Sequence, residues 1–209
     1  VVHNYVDLPW FDRIPRPDRR SDDPPSLVYC GSVGVSRGVL EMLGAAALLT
    51  HAEAQLRVIG RLEPPHLRDR VEREICRLRL QDRVLMTGAL PITAAIRMVK
   101  SADVGLCLLH PKPNYKASFP IKFTEYMAAG IPIVASDFAL WRKIVEGAGC
   151  GLLVDPLDTQ IIAVALDDLL TKPEWAREMG RNGRRAVEER YNWGPEGQKL
   201  IRLYESLLS

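Results

Sequence analysis

Residues 104–136 read VGLCLLHPKPNYKASFPIKFTEYMAAGIPIVAS, and this stretch decides the fold. It begins with an apolar run at Val104–Leu109, continues through a helix-like segment at Ile121–Ala129, and ends in a second apolar run at Ile131–Ala135. Neither run alternates strictly between apolar and polar residues, which is typical of strands buried on both faces of a parallel sheet. The stretch therefore predicts a strand–helix–strand unit with parallel strands and a right-handed crossover.

The same alternation of apolar runs and helix-like segments extends along most of the chain. Four more runs have strand character: Leu27–Cys30, Leu56–Ile59, Val84–Met86 and Gly151–Val154. The other helical candidates are Ser36–Leu49, Pro64–Leu78, Pro91–Lys100, Trp141–Glu146, Asp158–Leu170, Glu174–Arg190 and Gly194–Leu208, with Ser36 as an expected N-cap. Six strands alternating with helices predict an α/β, doubly wound, mostly parallel six-stranded Rossmann-like sheet. Such sheets bind ligands beyond the carboxyl ends of their strands.

Length and composition restrict the class of protein. The chain has 209 residues, of which 47% are hydrophobic, and this suits one medium-sized domain. A net charge of only +2 excludes a strong basic field, so we expect no nucleic-acid partner. No apolar run reaches the ~18 residues of a membrane span, and the first residues do not resemble a signal peptide. The four cysteines match no metal-binding spacing, so we expect reduced thiols, no metal and a cytoplasmic protein.

Three segments differ in character. Residues 1–26 are predicted to be a hinge and linker, because residues 13–26 are rich in proline and charge. Residues 27–190 carry the alternating pattern and form the predicted Rossmann-like domain. Residues 191–209 are predicted to form a C-terminal helix with apolar residues on one face.

Glycines follow three of the predicted strands. Gly31 and Gly34 come after the first strand, with Arg37 three residues further on, and Gly60 and Gly88 end the next two strands. A glycine-rich turn lets backbone N–H groups approach a phosphate, and an arginine can neutralise its charge. An ordinary turn with a surface arginine explains the same residues, and their spacing does not match the dinucleotide-binding fingerprint.

The helix that begins near Pro120 carries Lys122 and Glu125 on one face. A helix start directs free N–H groups at an anion, and a lysine there is not favoured by the helix dipole, which hints at a function. Glu125 can accept hydrogen bonds from vicinal ribose hydroxyls. An intrahelical surface ion pair between the two side chains is the alternative, and on physical grounds both interpretations stay open.

The pattern Pro120-x-Lys122-x-x-Glu125-Tyr-Met-Ala-Ala-Gly130-x-Pro132 resembles the signature of the family-4 retaining glycosyltransferases, which have the two-domain GT-B fold. The resemblance covers most of the chain, including a hinge-like start and a first glycine loop. It implies that this chain is the half that binds a nucleotide-diphosphate sugar donor. It also implies that a missing N-terminal domain holds the acceptor, which is a glycan, a lipid or a small molecule.

The resemblance assigns donor-binding roles by position. Glu125 corresponds to the glutamate that contacts the donor ribose, Arg37 to the basic residue at the diphosphate, and Lys122 to a lysine of the motif. The implied donor-binding residues are Gly31, Gly34, Arg37, Gly60, Gly88, Ser118, Phe119, Pro120, Lys122 and Glu125. The family's reaction needs neither a cofactor nor a metal, and no catalytic residue is identified here.

Two positions depart from the family pattern. Ala117 stands where the family has a glutamate near the transferred sugar, and Ser32 stands where it has a second basic residue. An active transferase half is the preferred interpretation. A module that binds nucleotide sugars without catalysis and a sugar-nucleotide epimerase-like enzyme are the alternatives.

Arginines at two places permit a membrane contact. Arg19, Arg20 and the arginine-rich helix at 177–190 would suit a peripheral contact with an anionic inner membrane face. A solvated charged face is the preferred interpretation.

Overall fold

The computed structural model describes residues 2–20 and 22–208. Its strands are β1 (Ser26–Cys30), β2 (Gln55–Ile59), β3 (Val84–Gly88), β4 (Val104–Cys107), β5 (Ile133–Ser136) and β6 (Gly151–Val154). They form one sheet in the order β3-β2-β1-β4-β5-β6, and every neighbouring pair is parallel. The predicted doubly wound, six-stranded sheet is confirmed, and its strand order reverses between β1 and β4.

Helices connect the strands and cover both faces of the sheet. They are α1 (Leu8–Asp12), α2 (Val39–Leu48), α3 (Leu67–Arg77), α4 (Ile92–Lys100), α5 (Pro113–Lys116), α6 (Ile121–Ala129), α7 (Ala139–Ala148), α8 (Thr159–Thr171), α9 (Pro173–Glu189) and α10 (Trp193–Leu208). Only the short helices α1 and α5 were not predicted, because one turn carries no helical period. The expected Ser36 cap is wrong: Ser36 lies in a 3-10 turn at Val35–Arg37, and α2 begins after Gly38, whose φ of +83° favours glycine.

Two hydrophobic layers sandwich the sheet because successive strand residues point to opposite faces. Val28 and Cys107 belong to the layer under α4, α6, α7 and α9, where Trp141 and Tyr126 are also fully buried. Leu27 belongs to the opposite layer. The second layer is completed by residues of α2, α3 and α8: Leu43, Val71 and Leu166. The central strands β1, β4 and β5 are therefore buried on both faces, as their continuous apolar runs predict, whereas the edge strand β3 is only partly covered.

A tyrosine holds the sheet together where the strand order reverses. β1 and β4 pair only at Leu27–Val104 and Val28–Gly105. Beyond that point the hydroxyl of Tyr126 accepts a hydrogen bond from the Cys30 N–H (3.1 Å) and donates one to the Leu106 carbonyl (3.2 Å). Its ring lies on Gly105, where a Cβ would be 2.5 Å from the ring. This contact sets the position of α6 on the sheet.

The N-terminal segment packs against the same helix layer. The side chain of Phe11 is fully buried, and the Lys100 ammonium donates to the Phe11 (2.8 Å) and Ile14 (2.6 Å) carbonyls. The N–H of Val6 donates to Thr124 Oγ1 on α6 at 3.1 Å. Burial of Ile14 shows that part of the predicted linker contacts the core, and Ser26 already belongs to β1. The division at residues 26 and 190 stays a prediction.

The last helix leaves its apolar side in solvent. Ile201, Leu203, Tyr204 and Leu207 on α10 are all exposed, with Leu207 at 72%. Among the described residues, no helix is both long enough and apolar enough to cross a bilayer.

We expect Gly105→Ala to destabilise the protein. The added methyl would overlap the Tyr126 ring, and overpacking of this kind costs about 1–3 kcal/mol of unfolding free energy. Urea denaturation measures the loss. Gly147→Ala on α7 is the matched control, because a Cβ there has no neighbour within 4 Å. Equal midpoints for the two variants would contradict the role of the Gly105–Tyr126 contact.

We expect Tyr126→Phe to cost about 1–3 kcal/mol, because it leaves a buried N–H and a buried carbonyl without their shared partner. Hydrogen exchange should accelerate at the Cys30 amide in particular. Tyr204→Phe removes a hydroxyl from an exposed side chain and should change neither quantity. Unchanged exchange at Cys30 in Tyr126→Phe would show that the hydroxyl does not join the two strands.

Candidate functional site

The pairing of β1 with β4 ends before the carboxyl edge of the sheet, and we call the region between the two strand ends the crevice. We define it by Gly31 after β1 and by the first turn of α6, which carries Lys122 and Glu125. Gly31 has a φ of +137°, and a Cβ built on it would lie 3.2 Å from the Lys122 ammonium nitrogen. A glycine at this position therefore leaves room for the lysine next to the end of the strand.

Lys122 is a buried cation on the floor of the crevice. Its side chain is 6% exposed, and its Nζ lies 4.3 Å from the centroid of the Tyr29 ring. Burial acts to lower the pKa of Lys122, but Cys107 and Tyr29 raise the pKa on balance, so the lysine stays charged at neutral pH. The predicted alternative of a surface ion pair with Glu125 is wrong, because Lys122 is turned inward onto Tyr29.

Glu125 lies half-buried beside the same crevice. Burial raises its pKa, while the charge of Lys122 opposes that rise. Burial, and secondarily the charge of Glu125, raises the pKa of the Cys30 thiol to about 11. Within the described part of the chain, the Glu125 carboxylate has no hydrogen-bond partner and no ion-pair partner closer than 4 Å. It is therefore a desolvated acceptor that a ligand can use.

The N-terminus of α6 opens toward the crevice. Pro120 is its N-cap and supplies no side-chain cap, and the N–H groups of Ile121 and Lys122 find no acceptor among the described residues. The Ser118 carbonyl accepts the Trp141 indole N–H at 2.7 Å and fixes the approach to the helix. The Phe119 ring packs on Tyr5, Phe123 and Tyr191, away from the crevice. Ser118, Phe119 and Pro120 thus shape the helix start through their backbone.

Beside the crevice lies a second concavity, which we call the Arg37 hollow. Its lining includes Gly34, Ser36, Arg37, Glu63, His110, Lys112 and Tyr115. Arg37 lies over the Tyr115 ring, with 5.7 Å from Cζ to the centroid, and makes no ion pair among the residues that are described. Gly34 passes close to the chain that follows β2, since a Cβ there would be 3.1 Å from the Glu63 carbonyl oxygen.

Gly60 and Gly88 lie further along the edge, at a hollow that also includes Arg61 and Arg68. A Cβ on Gly60 would be 1.8 Å from the Gly31 carbonyl oxygen, so only glycine permits this approach. The Gly31 N–H donates to the Ile59 carbonyl (2.9 Å), and the Gly60 N–H donates to the Gly88 carbonyl (2.8 Å). The sheet uses both N–H groups, so neither is free for a phosphate, and glycine at position 60 allows the ends of β1 and β2 to pack closely.

Sequence reasoning missed three parts of the site. Nothing in the sequence distinguishes Tyr29 and Tyr126 from other apolar aromatic residues. Only the fold shows that Tyr29 contacts Lys122 and that Tyr126 joins β1 to β4. His110 lies three residues after β4, but its partner Glu41 is 69 positions away in the chain, and nothing in the sequence connects them. The distance from His110 Nε2 to Glu41 Oε1 is 3.0 Å.

Another hollow lies at the opposite, amino edge of the sheet. It is lined by Arg16, Arg19, Asp103 and Arg177, among others. None of the predicted site residues reaches it, and parallel sheets bind ligands at their carboxyl edge. We therefore place the site at the crevice. Among the described residues, no cluster of three or more metal-ligating side chains is found.

Comparison with known families identifies the class of protein. The family model described as "Glycosyl transferases group 1" matches residues 11–186. An MMP alpha-(1->4)-mannosyltransferase of Mycolicibacterium hassiacum is 30% identical over 175 residues, which are 83% of this chain and 41% of the relative. A phosphatidyl-myo-inositol mannosyltransferase of Mycobacterium leprae is 32% identical over 74% of this chain and 38% of its own length. The chain spans about half the length of the curated relatives it matches.

Solved structures share the fold. Sucrose-phosphate synthase from Thermosynechococcus elongatus superposes with a TM-score of 0.79 at 26% identity, over 98% of this chain and 50% of that one. The C-terminal domain of LpcC from Francisella tularensis gives a TM-score of 0.73 at 20% identity, over 90% of this chain and 98% of that domain. HepE from Anabaena, solved with UDP and glucose, gives 0.82 at 17% identity, over 98% of this chain and 56% of that one. Since the family model covers well over half of the sequence, this chain belongs to the group 1 glycosyl transferases.

Proposed function

We propose that this chain binds the nucleotide-diphosphate sugar donor of a family-4 retaining glycosyltransferase. The observation that carries the proposal is the crevice itself. The buried Lys122 and the free N–H groups of α6 lie there beside Glu125, and Arg37 lines the adjoining hollow. Two cations and a helix start form a site for a diphosphate, and neither cation contacts a carboxylate of the described residues.

The same groups suit the chemistry of transfer. Breaking the bond between the sugar and the diphosphate leaves negative charge on the phosphate oxygens. Lys122, Arg37 and the α6 N–H groups are already in place to stabilise that charge, and a preorganised site of this kind favours the transition state. These cations supply the neutralisation that a divalent metal supplies in other transferases, which supports metal-independent transfer.

Glu125 is proposed to bind the donor ribose. Partial burial removes hydrogen bonds between water and the Glu125 carboxylate, and this desolvation costs free energy. The two vicinal hydroxyls of a ribose would replace those hydrogen bonds. Its position one turn from the start of α6 places it beside the proposed diphosphate position. Gly60 and Gly88 extend the edge beyond it, where the base of the nucleotide would lie.

The acceptor is proposed to bind to a second domain. The relatives are about twice as long as this chain, and they include mannosyltransferases and an alpha-D-kanosaminyltransferase of Streptomyces kanamyceticus. We therefore expect the 209-residue chain alone to bind donor without transferring sugar. A glycan, a lipid or a small molecule is the expected class of acceptor.

One observation favours a second candidate function, a nucleotide-sugar-binding module without transfer activity. Ala117 is exposed in the connection between α5 and α6, where the family pattern has a glutamate near the sugar. Transfer by the complete protein with a donor that this chain binds would exclude this alternative.

We expect the chain to bind at least one nucleotide sugar from a panel of UDP-glucose, GDP-mannose and ADP-glucose in isothermal titration calorimetry. The matching nucleosides lack the diphosphate that Lys122 and Arg37 are proposed to contact, and they should bind more weakly. Absence of binding to every member of the panel would show that the donor-binding proposal is wrong.

We expect Glu125→Ala to weaken nucleoside diphosphate binding about tenfold or more, because hydrogen bonds to a carboxylate are worth about 1.5–3 kcal/mol. The loss should shrink with the 2′-deoxy analogue, which lacks one of the two hydroxyls. Glu146→Ala on α7 removes an exposed carboxylate and should leave the affinity unchanged. An equal loss for ribose and 2′-deoxyribose ligands would refute the ribose contact.

A further inference from the structure

We propose that His110, held in place by Glu41, is a further contact for the diphosphate of the donor. The inference rests on the proposed function, since it assumes that a diphosphate occupies the crevice and extends to the Arg37 hollow. It assigns a binding role to His110 and a positioning role to Glu41.

The geometry of the pair points to this role. His110 lies three residues after the end of β4 and lines the Arg37 hollow together with Gly34 and Arg37. Its Nε2 faces Glu41 Oε1 at 3.0 Å, and both side chains are mostly buried, with 20% and 16% exposed. The Nε2 atom is fully enclosed, which leaves Nδ1 as the nitrogen that a ligand in the hollow can reach.

The contact with Glu41 is incomplete as a hydrogen bond. Among the described residues, neither His110 Nε2 nor Glu41 Oε2 has a partner that meets hydrogen-bond geometry. A buried carboxylate oxygen and a buried ring nitrogen without hydrogen-bond partners lower the stability of the folded chain. Apolar side chains could fill the same space without that cost. Such a pair is expected where a carboxylate orients an imidazole for a task outside the pair.

The backbone fixes where the imidazole stands. The His110 N–H donates to the Ser36 carbonyl at 3.0 Å, one residue before Arg37. Ser36 Oγ in turn lies 3.3 Å from the Tyr115 hydroxyl, and Arg37 covers the Tyr115 ring. His110 and Arg37 are therefore presented to the same hollow by one connected set of contacts.

The proposed role of His110 would compensate for a basic residue of the family pattern that this sequence lacks. Ser32 stands where the family pattern has a second basic residue, so the first glycine loop offers only Arg37. An imidazole with Nδ1 directed at the hollow can donate to a phosphate oxygen when it carries both protons. The charged and titratable groups that surround it are Glu41 on α2, Arg37 on the 3-10 turn, Glu63 after β2, and Lys112 and Tyr115 after β4.

The test compares nucleoside diphosphates with nucleosides. UDP, GDP and ADP are titrated against the 209-residue chain and against His110→Gln, with uridine, guanosine and adenosine as ligands that lack phosphates. We expect His110→Gln to lose about tenfold in affinity for the diphosphate and nothing for the nucleoside. His51→Gln is the matched control, since His51 precedes the amino end of β2 and pairs with Asp167 on α8 at 2.9 Å.

Substitution of Glu41 separates ligand binding by His110 from mere support of the structure. Glu41→Gln removes the carboxylate that faces His110 Nε2. It should weaken diphosphate binding while leaving the nucleoside affinity unchanged.

Three results would overturn the inference. If His110→Gln binds the diphosphate as tightly as the wild type while Glu125→Ala binds it more weakly, His110 has no role and the donor site stands. If His110→Gln loses nucleoside and diphosphate affinity equally, the residue only supports the fold. If the wild-type chain binds none of the diphosphates, the donor site and the role of His110 are both wrong.

Discussion

The hydroxyl of Tyr126 bridges two strands that no longer bond to each other, and the rest of the site depends on that bridge. β1 and β4 pair over only two residues and then separate, and each separated strand leaves polar backbone groups in a dry core. Tyr126 satisfies one group on each strand, and Gly105 makes room for its ring. Because Tyr126 belongs to α6, the hydrogen bonds that join β1 to β4 also fix the position of the start of α6 at the crevice.

This anchoring explains why a short helix can carry the charged groups of the site. α6 has only nine residues, and an isolated helix of that length is not stable in water. Seven of those residues are buried against the sheet and against α9, so packing fixes the helix. Lys122 and Glu125 are then held at one edge by helix packing, and their desolvation would strengthen electrostatic interactions with the proposed donor.

The other side of α6 faces the N-terminal segment. Thr124 accepts the Val6 N–H, the Phe119 ring packs on Tyr5, and Arg16 donates to the Ala129 carbonyl. The segment that was predicted as a hinge is therefore attached along the whole length of the helix that forms the crevice.

The sequence by itself determined the alternation of buried strands and helices, and hence the six-stranded parallel sheet. It could do so because each element needs apolar residues at a characteristic spacing to be buried. The sequence also indicated Lys122, Glu125 and Arg37 as candidate site residues. Charged residues at a helix start or in a glycine loop can be recognised within one short segment. The surface ion pair was the wrong alternative, because helical spacing does not show which side of α6 the core covers. The inward direction of Lys122 onto Tyr29, the strand bridge by Tyr126 and the Glu41–His110 pair were decided only by the tertiary structure. Each of them joins residues that are distant in the chain, and such contacts come from the packing of elements rather than from any local pattern.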